Sequence, residues 1–208
     1  LGLASLAAVV CIVVGFPFTY LLTRLRRSAQ VPFLVLVLAV LSLSEVIVAF
    51  SWSLLLSRTS GISNLLVMVG LMDSAVSWSP GLVATILGFI FIALPLTILT
   101  FYPTVSRLDS ELVEAARTMG ASPARAFFTG VIPLLRQAIA GTFALVFIFI
   151  LGAYVVPQTL GRPAQWTTPV HITDQAVLQS NIPLAAALAV VLLVVSLLIA
   201  GLVLFFGG

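Results

Sequence analysis

Lysine is missing from this 208-residue chain; all nine basic residues are Arg. A Walker A loop needs its Lys to reach the phosphates, so the chain cannot hydrolyse ATP by that route. Charge of either sign is scarce: 7% of residues are charged, against roughly a quarter in a soluble domain. A net charge of +3, scattered along the chain, gives no footprint for nucleic acid. The single cysteine, Cys11, excludes an internal disulfide. The single histidine, His171, has no ligand-type neighbours, so no metal site is expected. No H-E-x-x-H, G-x-S-x-G or aspartyl pair falls in an apolar run, so an intramembrane enzyme lacks its chemistry.

Hydrocarbon is what the chain has in abundance. It is 62% hydrophobic, with mean hydropathy +1.29, which points to a membrane protein. Five runs approach the about 20 residues that a helix needs to cross a ~30 Å core: Leu1–Thr23, Pro32–Leu56, Leu82–Tyr102, Leu134–Val156 and Leu184–Phe206. Between Ser57 and Gly81 a shorter apolar stretch, Ile62–Met72, is expected to lie at the membrane interface. No internal repeat is visible, and residues 1–208 read as a single domain.

Five alternating spans sort the arginines. Arg24, Arg26, Arg27, Arg107, Arg117, Arg125 and Arg136 fall on one side, and Arg58 and Arg162 on the other. By the positive-inside rule the first side is cytoplasmic, so the chain starts outside and ends inside.

The stretch from Arg107 to Arg136 holds seven of the chain's fifteen charges. It does not span, because each charge at mid-bilayer costs about 2.5–3.5 kcal/mol on insertion scales. It reads as two short helices with a break. Asp109 or Ser110 caps the first, and Leu112, Ala115, Ala116 and Met119 share one face. Glu114 and Arg117 are spaced to pair on its flank. Gly120 suits the turn that ends it, and Ser122 with Pro123 opens the second helix. Pro133 punctuates entry to the next span. The small residues beside a carboxylate fit a docking helix for a cytoplasmic partner, although periodicity alone allows a solvated loop equally.

"EAARTMG" followed by "VIPLL" resembles the EAA loop of ABC importer permeases: E-A-A, three residues, G, nine residues, then I-x-L-P. Glu114, Ala115, Ala116, Gly120 and Pro133 fall on that pattern, while Gly130 and Ile132 depart from it in the second helix. "GISNLLVMVGLMDS", "LPLTILTFYPTVSRLDSELVEAARTMGAS", "VVPQTLGRP" and "IPLAAALAVVLL" are similar to the spermidine/putrescine-type branch of these permeases. The resemblance implies an all-α, polytopic transmembrane helical bundle of the type I ABC importer permease (MetI-like) kind in a bacterial inner membrane. Such permeases commonly have six spans, and the likeness begins at their second, so a further span upstream of Leu1 is expected.

The resemblance also implies partners: two copies of a cytoplasmic ABC ATPase that binds ATP and Mg, a second permease, identical or homologous, and a periplasmic or lipid-anchored substrate-binding protein. This chain itself would carry no cofactor and no catalytic residue. Glu114 would pair with a basic residue of the ATPase, with Arg117 and Met119 on the same coupling helix. Ala115, Ala116 and Gly120 would set close packing, and Pro133 would tie the loop, about residues 107–133, to the following span. The expected cargo is a polyamine, although permeases for ferric iron, thiamine, phosphonates and opine-like solutes resemble this branch. An ion-coupled secondary transporter is the alternative from another class, and a purely structural membrane subunit is a third.

Glu45 lies near the middle of the expected span Pro32–Leu56. An intramembrane carboxylate is a functional candidate by default, and an anionic lining suits a polyamine cation; a protonated or helix-paired carboxyl is the structural alternative. Ser42 and Trp52 share that helix and complete the candidate substrate path. Ser44, Ser51 and Ser53 are ordinary at helix contacts. Trp78 and Trp166 fit membrane interfaces or bundle packing. Arg58, Asp73, Arg162 and Asp174 are rim charges at the binding-protein side.

Overall fold

The computed structural model describes residues 1–58, 61–71, 73–108 and 131–207. Among them there is helix and no strand. The elements are α1 (Gly2–Arg24), α2 (Arg27–Leu41), α3 (Glu45–Leu55), α4 (Ile62–Met68), α5 (Leu82–Ser106), α6 (Arg136–Leu151), α7 (Val155–Leu160), α8 (Thr168–Thr173) and α9 (Ile182–Gly207). A single turn, Ile132–Leu134, leads into α6.

Three helices, α1, α5 and α9, are long and apolar enough to cross a membrane. The expected span Pro32–Leu56 is corrected. It is not one helix but two, α2 and α3, meeting at a 91° bend. Hydropathy is blind to the break because Leu41 and Leu43 keep the local average high. The physical cause is the serine-rich link. Ser42 ends α2 and donates its hydroxyl to the Leu38 carbonyl at 2.9 Å, a local bond that competes with helix continuation. Ser44 then takes the extended N-cap conformation, and Glu45 opens α3, where the positive helix end favours a carboxylate. The expected span Leu134–Val156 is also interrupted. α6 has 16 residues and is capped by Gly152, and α7 begins at Val155 with Pro157 in its first turn, where a missing N–H leaves no helical bond unmade.

The core is built on small residues. Ala4, Ala8, Cys11, Gly15 and Thr19 recur on one buried face of α1, which packs chiefly against α5. A Cβ on Gly15 would lie 2.8 Å from Thr97 Cγ2 on α5. On another face of α5, a Cβ on Gly88 would lie 2.7 Å from both Leu160 Cδ1 and Val156 Cγ1 of α7. With little hydrophobic drive between helices in lipid, such close backbone approach supplies the packing. Pro95 and Pro103 sit inside α5, where packed neighbours let a membrane helix tolerate proline, and Thr97 donates back to the Ala93 carbonyl at 2.8 Å. α9 packs on α6 and α8, yet Val190, Leu193, Leu197 and Leu198 remain exposed.

The two ends of the bundle differ in charge. At one end Gln30 donates to the Thr23 and Leu25 carbonyls at 3.2 and 2.7 Å and accepts from the Tyr102 hydroxyl at 2.8 Å. That ties the α1–α2 elbow, with Arg24, Arg26 and Arg27, to the end of α5 near Arg107. At the other end the Trp78 N–H bonds the Leu56 carbonyl at 3.0 Å and the Gly81 N–H bonds the Leu160 carbonyl at 2.8 Å. Arg162 Nε donates there to the Pro80 carbonyl at 3.1 Å. Arg136 opens α6 beside Leu135, which packs with Phe101 at the arginine-rich end. It stands at a helix start rather than inside a span.

Candidate functional site

Glu45 is placed by two helix starts. It is the first residue of α3, and its Oε1 accepts the Val156 N–H of α7 at 3.2 Å across 111 positions of sequence. An N–H in the first turn of α7 has no partner within that helix; the carboxylate supplies one. Glu45 is half-buried, not enclosed as a residue at mid-span would be. It faces a cleft of about 230 Å³ lined also by Leu41, Leu43, Val48, Phe91 and Phe149. The cleft is therefore apolar with one carboxylate, set where residues on either side of the α2–α3 bend face α5 and α6.

The other members of the expected path stand nearby. Ser42 is exposed, and its hydroxyl is bonded to its own helix. Trp52 is half-buried on α3, with its ring edge-to-face on Phe91 at 5.8 Å. Phe91 thus links the tryptophan to the Glu45 cleft. Phe91 and Phe149 carried no signal that separates them from other apolar residues of a span.

Glu114, Ala115, Ala116, Arg117, Met119 and Gly120 lie outside the described residues; Pro133 is inside them. It sits exposed in the turn Ile132–Leu134, and its neighbours do the anchoring. Val131 and Leu135 are buried in a cluster with Phe16, Phe101 and Val105, and Leu108 and Ile132 pack on its edge. Phe16 and Phe101 meet edge-to-face at 5.2 Å. The residues just before and just after positions 109–130 are thereby held in one apolar cluster with α1 and α5. Sequence reasoning fixed on Pro133 and missed Val131 and Leu135. Their spacing of four, which puts them on one helix face, was the available signal.

At the opposite end His171 is exposed and stacks edge-to-face on Trp166 at 5.8 Å. Among the described residues the buried indole nitrogen of Trp166 finds no hydrogen-bond partner. Asp174 accepts from Gln179 Nε2 at 2.7 Å, and Arg58 and Asp73 are exposed. Among the described residues no group of three His, Cys, Asp or Glu side chains could hold a metal ion.

A bent, proline-bearing helical bundle of this kind has solved counterparts. A bacterial alginate ABC transporter, crystallised in complex with an alginate pentasaccharide-bound periplasmic protein, contains a chain that superposes with a TM-score of 0.74 at 19% identity, covering 99% of this chain and 75% of that one. A second structure, of a bacterial ABC transporter involved in alginate import, gives 0.71 at 17% identity, covering 99% and 77%. The fold is that of an ABC importer permease. Residues 12–207 match the family model of the binding-protein-dependent transport system inner membrane component, and the chain belongs to that family. It is 24% identical over 199 residues to the spermidine/putrescine transport system permease protein PotB of Haemophilus influenzae, covering 96% of this chain and 70% of the relative. It is 28% identical over 163 residues to PotB of Escherichia coli K12, covering 77% and 58%. The inner membrane ABC transporter permease protein YdcU of E. coli is 26% identical over 203 residues, covering 92% and 64%. The matched regions thus cover between 58% and 70% of these relatives' lengths.

Proposed function

We propose that the chain forms half of the translocation path of an ATP-driven importer for a polyamine-like cation. The single observation that carries the cargo assignment is Glu45: one carboxylate on an otherwise apolar cleft at the bend between α2 and α3. An alkyl ammonium matches that chemistry, with methylenes against Phe91 and Phe149 and charge at the carboxylate. Likeness to two PotB proteins supports the same cargo. The whole of residues 1–208 would act as one permease domain, paired with a second permease, identical or homologous.

Energy would come from two copies of an ATPase that bind ATP and Mg and grip the segment around Glu114, Ala115, Ala116 and Gly120. The shared cluster of Phe101, Val105, Val131 and Leu135 supports this role, because a push on a segment anchored at both ends moves α5 and α6 together. The arginine-rich end would face the cytoplasm, with α9 ending there. An external binding protein would deliver cargo at the Trp78–Arg162 end.

The test is reconstitution. The permease, its ATPase and its binding protein are placed in proteoliposomes, and ATP-dependent uptake of radiolabelled spermidine is followed. Saturable uptake competed by putrescine supports the assignment. Absence of spermidine uptake, with another ligand found in the purified binding protein by mass spectrometry, would overturn the cargo and leave the importer architecture standing.

A further inference from the structure

At the arginine-rich end a second cleft, of about 620 Å³, opens between the α1–α2 elbow and the end of α5. Arg27 and Arg107 line it from two different helices, together with Thr23, Ser106 and Tyr102. Among the described residues no carboxylate lines it, and neither arginine is ion-paired. Arg24, just outside, is occupied differently: its guanidinium lies 5.1 Å from the Tyr20 ring centre. The hydroxyl protons are also committed. Thr23 donates to the Tyr20 carbonyl, Ser106 to the Pro103 carbonyl and Tyr102 to Gln30. The cleft therefore offers two guanidinium forks and, among the described residues, no competing anion, which is the donor set for a phosphate.

One wall of the cleft is hydrocarbon. Val31 and Leu34 line it, and the outer face of α2 continues as Val35, Leu36 and Leu38, all at least half exposed. A ligand that satisfied the whole surface would join a phosphate to an alkyl chain running along α2. We propose that this cleft binds an anionic phospholipid, with Arg27 and Arg107 on its phosphate and its acyl chain against Val31, Leu34 and Val35. Basic pockets between membrane helices take acidic headgroups in this way. The inference rests on membership of an inner-membrane family and does not require the polyamine cargo or the orientation proposed above.

The test uses the full chain with its co-purifying subunits, stripped of lipid in non-ionic detergent. Apparent melting is followed with phosphatidylglycerol, phosphatidylcholine or inorganic phosphate added, and retained lipid is counted by native mass spectrometry. Phosphatidylglycerol at about a hundredfold excess over its Kd should raise the melting temperature by about 5–10 °C, and the other two additives should not. The double variant R27Q/R107Q, altered only at exposed positions, should lose the shift and the retained lipid, whereas R27K/R107K should keep part of both. Equal stabilisation by phosphatidylcholine would overturn the proposal, as would an undiminished shift in R27Q/R107Q. A shift with inorganic phosphate as large as with the lipid would show a free-anion site and overturn it as well.

Discussion

Replacing Gly88 by Ala tests whether close helix approach sets the geometry of the Glu45 site. The added methyl would meet Leu160 Cδ1 and Val156 Cγ1 at 2.7 Å each, whereas carbons rest at about 3.5–4.0 Å. Something must open by about 1 Å. Val156 and Leu160 are both fully buried, and Val is stiff about χ1, so rotamer change is a poor escape. α7 must move off α5, which draws the Val156 N–H away from Glu45. Overpacking of this kind costs about 1–3 kcal/mol. At about 2–4 °C per kcal/mol for a chain of this size, the middle of that range lowers apparent melting by about 6 °C. The matched control is Gly141→Ala on α6, where an added Cβ has nothing within 4 Å. There the gain in helix propensity, up to about 1 kcal/mol, should leave melting unchanged or raise it. The assay is thermal unfolding of both variants in the same detergent, alongside uptake. If Gly88→Ala melts at or above the parent, close packing of α5 against α7 does not hold the site and the reasoning fails.

Glu45→Gln keeps an oxygen to accept the Val156 N–H but removes the charge; loss of a charge-assisted contact worth about 1.5–3 kcal/mol should weaken spermidine uptake at least tenfold, with melting little changed. Unaltered uptake kinetics would remove Glu45 from the path. Tyr102→Phe deletes the 2.8 Å bond to Gln30 and should cost about 1 kcal/mol, while ATP consumed per solute imported rises as the α1–α2 elbow loosens from α5; an unchanged ratio counts against that strut. Glu114→Arg should abolish transport and weaken pull-down of the ATPase, and normal uptake by this variant would contradict docking at the Glu114 segment. Gly61→Ala places a methyl against the Leu55 carbonyl at a φ of +113°, so at more than about 1 kcal/mol it should lower melting and loosen α4 in limited proteolysis; equal resistance to protease would refute it.

Composition made the helical class and the positions of α1, α5 and α9 legible, because an uninterrupted apolar run has one stable form in lipid. The division of arginines between the two ends was legible too, since alternation of spans alone predicts it; Arg117 and Arg125 lie outside the described residues. The α2–α3 bend escaped because a hydropathy average weighs Ser42 and Ser44 against their leucine neighbours and ignores what serine does to backbone. "SLSE" carried a usable cap signal. The break at Gly152 was similarly announced by a glycine followed five residues later by Pro157. The bond from Glu45 to Val156 was not legible at all: it depends on how two elements 111 residues apart dock, and no local pattern encodes that. The same holds for Gly15 and Gly88, whose spacing says "small residue" but not which neighbour presses there.

Gly15 and Gly88 have a mechanical corollary. Sliding of α1 or α7 along α5 is disfavoured, because a step would drive side-chain tips into backbone at these two contacts. α1, α5 and α7 are thereby locked into one packed wedge, and Glu45 is tied to it through the Val156 N–H. If the bundle flexes as proposed, the looser places are the serine joint between α2 and α3 and the sparsely covered flank of α9.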